Sequence, residues 1–116
     1  MSRKLGFQSE AQAIQYLNGL GYSFISKNVH SVRGEIDLVV KGSQNEIVFV
    51  EVKYRKNLDE RAFESISKKK REALIYTAQT FLQNNPIPDV DYSFGVLVHD
   101  NEHWVWIPDA FDGEEC

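Results

Sequence analysis

The stretch Gly34-Glu35-Ile36-Asp37-Leu38-Val39-Val40-Lys41, followed after a short polar loop by Ile47-Val48-Phe49-Val50-Glu51-Val52-Lys53-Tyr54, decides how this chain is read. Both segments are rich in β-branched residues, and Gly42-Ser43-Gln44-Asn45 between them is turn-forming, so the pair reads as a β-hairpin. If Lys41 faces Ile47, then Val39 faces Phe49, Asp37 faces Glu51 and Glu35 faces Lys53. Side chains alternate along a strand, so Leu38, Val40, Val48, Val50 and Val52 share the opposite face. That face is wholly apolar and must be core. The first face is apolar at Val39 and Phe49 and charged at one end. A slip of one residue would bury the acids among the valines, which fixes the register.

Like charges opposite each other on a sheet are destabilising. A divalent cation would offset the repulsion between Asp37 and Glu51. Magnesium takes hard oxygen donors and commonly one or two protein carboxylates, and a bound cation activates water toward a phosphodiester. Lys53 is placed to orient that water or to stabilise charge developing on the phosphate. The residues also admit plainer readings. Asp37 and Glu51 could be exposed acids, and Glu35 and Lys53 a cross-strand ion pair.

Outward from the hairpin, Ser9 to about Leu20 reads as a helix with Ser9 as N-cap and Gly21 as its stop. Glu10, Ala13, Ile14 and Leu17 fall on one face, so Glu10 points inward; it could equally be a first-turn carboxylate favoured by the helix dipole. Tyr22 to about Ser31 reads as a strand, and Val32-Arg33-Gly34 as a turn. A longer helix is expected from about Arg61 through Gln83, with Ile66, Ala73, Leu74, Thr77, Phe81 and Leu82 at helical spacing and Pro86 and Pro88 ending it. Tyr92–Val98 and His103–Ile107 read as a second hairpin around Asp100-Asn101. The order α-β-β-β-α-β-β predicts an α/β fold, with α+β segregation around a mixed sheet.

At 116 residues, 42% hydrophobic and 26% charged, the chain fits a single globular domain spanning residues 1–116. No apolar run approaches the ~20 residues of a membrane span. The first residues lack the apolar stretch of a signal peptide. Cys116 is the sole cysteine, which excludes an internal disulfide and argues against a cysteine metal site. A cytoplasmic location without membrane association follows as the expectation. The net charge of −4 weighs against nucleic-acid binding, but the distribution of charge matters more than its sum. Lys53, Arg55 and Lys56 cluster, as do Lys68, Lys69, Lys70 and Arg71, while four acids crowd the segment from Asp109 to Cys116. The run from Lys68 to Arg71 is either a solvated helix face or a phosphate-contacting patch. His30, His99 and His103 share no ligand spacing and read as structural. Trp104 and Trp106 read as packing residues.

Gly34-Glu35-Ile36-Asp37 followed by Phe49-Val50-Glu51-Val52-Lys53, with Glu10 upstream, resembles the PD-(D/E)xK nuclease superfamily. More narrowly, the chain resembles the YraN-like family of predicted endonucleases, relatives of the archaeal Holliday-junction resolvases. Asn28, Lys70, Ala78 and Trp106-Ile107-Pro108-Asp109-Ala110-Phe111 extend the match over nearly the whole chain. The resemblance implies a restriction-endonuclease-like core and a Mg2+ (or Mn2+)-dependent DNA endonuclease acting in recombination or repair on branched or structured DNA. It implies Asp37, Glu51, Lys53 and Glu10 as catalytic residues. Asp37, Glu51 and the Val52 carbonyl would be metal ligands. Lys70, with Arg55, Lys69 and Arg71, would contact DNA. A domain of this size offers little surface for a duplex, so a homodimer or a partner protein is expected. Where the family tends to carry Arg-Phe-Asp-Val-Val, this chain has Ser93-Phe94-Gly95-Val96-Leu97. The missing acid sustains a second reading, a non-catalytic nucleic-acid-binding protein on the same fold, and a protein-interaction adaptor is the third.

Overall fold

The computed structural model describes residues 2–56, 66–86 and 90–111, with side chains from residue 10 onward. The elements are α1 (Ser2–Gly19), β1 (Ser23–His30), β2 (Glu35–Lys41), β3 (Ile47–Tyr54), α2 (Lys68–Asn84), β4 (Tyr92–His99) and β5 (Trp104–Phe111). The expected mixed sheet and element order are both present. The five strands lie in sequence order, antiparallel throughout except for β3 and β4. Parallel neighbours need a crossover, and α2 lies within it. The N-terminal end of α2 is therefore brought back beside the C-terminal end of β3.

The two helices cover opposite faces of the sheet. Ala13 and Leu17 of α1 are buried against Leu38, Val40, Val48, Val50 and Leu97, with Val52, Trp104 and Trp106 packed at the margin. This is the expected all-apolar face of the hairpin. Leu74, Ile75 and Ala78 of α2 are buried against Val39, Ile47, Phe49 and Phe94. The β2–β3 register runs Lys41 to Ile47, Val40 to Val48, Val39 to Phe49 and Leu38 to Val50, as alternation dictates.

Three boundaries differ by more than one residue from the sequence reading. Helix α1 starts at Ser2, so Ser9 lies inside it instead of capping it. Its end is a Schellman turn, with Tyr22 N bonded to Leu17 O, Gly21 N to Asn18 O, and Gly21 at φ +101°, a conformation that glycine adopts without penalty. Helix α2 begins at Lys68 because Ser67 caps it, its side chain accepting from the Lys70 N–H; Ile66 precedes the helix. The part of the expected helix from Arg61 to Ser65, together with Pro88 and Cys116, lies outside the described residues. Strand β5 continues past Ile107 to Phe111. Among the described residues, no helix is long and apolar enough to cross a membrane.

Candidate metal and nucleic-acid site

The regular β2–β3 ladder stops at Leu38 and Val50. Beyond it, Asp37 turns toward β3, and its Oδ2 accepts the Val52 N–H at 2.8 Å. Alternation alone would put Ile36 with Leu38, yet Ile36 packs in the α2-side cluster with Val39 and Phe49. The inside–outside pattern therefore breaks at Asp37, and a side chain takes the place of a backbone acceptor. Strand β1 is irregular at the same level. Asn28, at the position across from Asp37 in the β1–β2 register, has φ +52°. With its amide nitrogen turned toward the acids, Asn28 Nδ2 lies 2.7 Å from Glu10 Oε2 and 3.2 Å from Glu35 Oε2. Glu10, half-buried, is thus tied through Asn28 to Glu35.

Glu51 follows Phe49 on the α2-facing side of β3, and its side chain is 9% exposed. The Lys70 ammonium, reaching from the first turn of α2, sits 2.6 Å from Glu51 Oε2. Burial first, and then the charge of Glu51, push the Asp37 carboxyl up to about 7, with the Val52 N–H partly opposing both. Glu51 acts on Asp37 at close range, and both carboxyls line the same cleft. The expected encounter of Asp37 with Glu51 is therefore present, made by side chains past the end of the ladder. Burial and the nearby Arg55 charge hold the Lys53 ammonium below its ordinary range, with Glu51 pulling the other way. The bond to Glu51 holds Lys70 above its ordinary value.

The pair opens into a cleft of about 410 Å³ lined by Arg33, Glu35, Asp37, Glu51, Lys69 and Lys70 among others. Of the expected DNA-contacting residues, Lys69 and Lys70 line it. Arg71 Nη1 donates to the Ile66 carbonyl at 3.0 Å, and Arg55 Nη1 to the Tyr54 carbonyl at 2.8 Å. Arg33 was not foreseen. It sits in the β1–β2 turn with its guanidinium 5.3 Å from the centre of the Tyr76 ring, and its place just before Gly34-Glu35-Ile36-Asp37 was the available signal. The turn is held to α2 by the 2.8 Å bond between Ser31 Oγ and Thr77 Oγ1.

The donor set suits a hard cation. Asp37 and Glu51 supply carboxylate oxygens, and their mutual repulsion is what a cation would relieve. The Val52 carbonyl shares the strand edge on which its N–H meets Asp37. Among the described residues, no group of three His, Cys, Asp or Glu is arranged to hold a metal ion, so water would complete such a shell. Gly95 bears differently on the site than its sequence position suggested. A β-carbon there would overlap the Trp106 ring, which packs on the α1 side. Glu51 faces α2. In this geometry an acid at position 95 would point away from the carboxylate pair.

A family model described as the uncharacterised protein family UPF0102 matches residues 9–98. The chain belongs to this family. Its match spans the hairpin, α2 and β4. The UPF0102 protein YraN of Escherichia coli is 37% identical over 114 residues, covering 96% of this chain and 86% of that protein. The UPF0102 protein VP0448 of Vibrio parahaemolyticus is 42% identical over 113 residues, covering 93% and 92%. This UPF0102 chain therefore matches its relatives over nearly all of its own length.

Proposed function

We propose that this UPF0102 protein is a divalent-metal-dependent DNA endonuclease of the PD-(D/E)xK superfamily, hydrolysing phosphodiester bonds in branched or structured DNA during recombination or repair in the cytoplasm. One observation carries the reading: two neighbouring carboxyl groups, one pushed up to about 7, line an open cleft that also carries lysines. Perturbed acids in a cleft are candidates for chemistry, and cations at its rim suit a polyanionic ligand.

In this reading Asp37, Glu51 and the Val52 carbonyl hold Mg2+ or Mn2+. The bound ion would supply positive charge beside the phosphate and lower the pKa of water at the site. Lys53, its ammonium held below its ordinary range by burial, orients that water and stabilises charge on the phosphate. Lys69, Lys70 and Arg33 receive the DNA backbone. Glu10 acts at one remove, through Asn28 and Glu35.

A second reading, a nucleic-acid-binding protein without catalysis, is favoured because no three His, Cys, Asp or Glu among the described residues are arranged to hold a metal ion. One panel separates the two. Junction, flap, single-stranded and duplex DNA are incubated with and without Mg2+ or Mn2+, using wild type, Asp37→Ala and Glu51→Ala. Cleavage that needs the metal and is lost in both variants is expected. Binding with a steep salt slope but no cutting would favour the second reading.

A further inference from the structure

We propose that Lys70 is an exchangeable counter-ion: its ammonium neutralises Glu51 until a divalent cation takes that carboxylate, and it then turns into the cleft to meet a DNA phosphate. The proposal rests on the metal-site reading above and deepens it.

The contact is unequal. Glu51 is 9% exposed and fixed on a central strand, whereas the Lys70 side chain is 50% exposed. The Lys70 backbone is pinned, its N–H bonded to Ser67 Oγ at 3.1 Å, so only the side chain need move. The location is unfavourable for a cation in its own right. The first turn of α2 carries Lys68, Lys69, Lys70 and Arg71 and no acid, at the helix end whose dipole favours negative charge. Glu51 compensates for Lys70 at that end. One ammonium also serves two carboxyls, because Lys70 pairs with Glu51 and feels the charge of Asp37 as well. A divalent cation satisfies both carboxyls, and Lys70, once released, already lines the cleft beside Lys69 and Arg33. Two consequences follow. The site binds a cation more weakly than its carboxylates alone would, and the cation strengthens DNA binding, with reciprocal strengthening of cation binding by DNA.

The test is a calorimetric titration of Mn2+ into DNA-free wild type, Lys70→Met and Lys70→Arg. It is paired with fluorescence anisotropy of a labelled DNA junction carrying hydrolysis-resistant phosphorothioate linkages. Lys70→Met is expected to bind Mn2+ roughly tenfold more tightly than wild type, within the usual span of site coupling. Lys70→Arg should stay near wild type. Mn2+ should tighten junction binding by wild type more than it tightens binding by Lys70→Met. Should Lys70→Met fail to fold by circular dichroism, Lys70→Gln, which keeps a hydrogen-bond donor for Glu51 without the charge, carries the same comparison. Wild type that binds Mn2+ while the uncharged variant binds it no more tightly would overturn the exchange alone, as would metal enhancement of junction binding that is as large in that variant as in wild type. Absence of Mn2+ binding in every protein would overturn the metal site and the exchange together.

Discussion

The Val52 N–H donates to Asp37 Oδ2 across 2.8 Å, just past the last regular pair of the β2–β3 ladder, Leu38 and Val50. A carboxylate thus stands in for a strand carbonyl. The substitution satisfies a backbone donor and holds Asp37 against Glu51 at one stroke, so the end of the sheet and the base of the cleft are the same structure.

The stability of the protein should carry the signature of Asp37. Its carboxyl is held at about 7 against an ordinary 3.8, so between those values the folded state binds more protons than the unfolded state. The resulting stabilisation is fully present below 3.8 and is lost as pH rises through about 7. Asp37→Asn keeps an acceptor for Val52 and removes the charge. Urea unfolding should show the variant to be more stable than wild type at about pH 8, by on the order of 2 kcal/mol, with the difference shrinking toward about pH 5. A difference that does not vary with pH would count against the assignment.

Lys53 should be needed for turnover and not for the metal. Lys53→Met is expected to lower cleavage by about a hundredfold or more while Mn2+ affinity by calorimetry stays near wild type. Loss of Mn2+ binding in this variant would remove Lys53 from the catalytic role.

Gly95 should be a packing position. A β-carbon there overlaps the Trp106 ring, so Gly95→Ala should destabilise by about 1–3 kcal/mol in chemical unfolding. Pairing it with Trp106→Val should recover part of the loss, with a coupling of about 0.5–3 kcal/mol between the two sites. Strict additivity would place Trp106 elsewhere.

Ser67 should set where α2 starts. Ser67→Ala removes the acceptor for the Lys70 N–H and should lower stability by about 1 kcal/mol. An unchanged denaturation midpoint would show that the cap is dispensable.

The hairpin was legible because a period of two admits one register once five apolar residues must face one way, and its turn is short. The same logic placed Asp37 and Glu51 together. It could not foresee that Ile36 would cross to the α2 side, since alternation has no term for a side chain that enters the ladder. The start of α1 was missed because Ser9 is a good cap by composition, although the backbone is already helical from Ser2. The partner of Glu51 was missed for a different reason. Lys53 is two residues away along the strand, whereas Lys70 arrives only through the crossover, and no local spacing encodes which lysine of Lys68-Lys69-Lys70 will reach back. The role of Gly95 depended on Trp106 of the next strand, again beyond local pattern.

The left-handed residues on the outer strands have a consequence for how copies of this protein meet. Strand β1 shifts register between Phe24 and Ser26 and carries Asn28 at φ +52°, while β5 carries Asp109 at φ +51°, next to Pro108, which has no N–H to offer. Neither outer edge presents an unbroken row of donors and acceptors to a neighbour, and interruptions of this kind blunt edge-to-edge pairing. At high concentration the sheet is thereby guarded against growing edge to edge into another molecule.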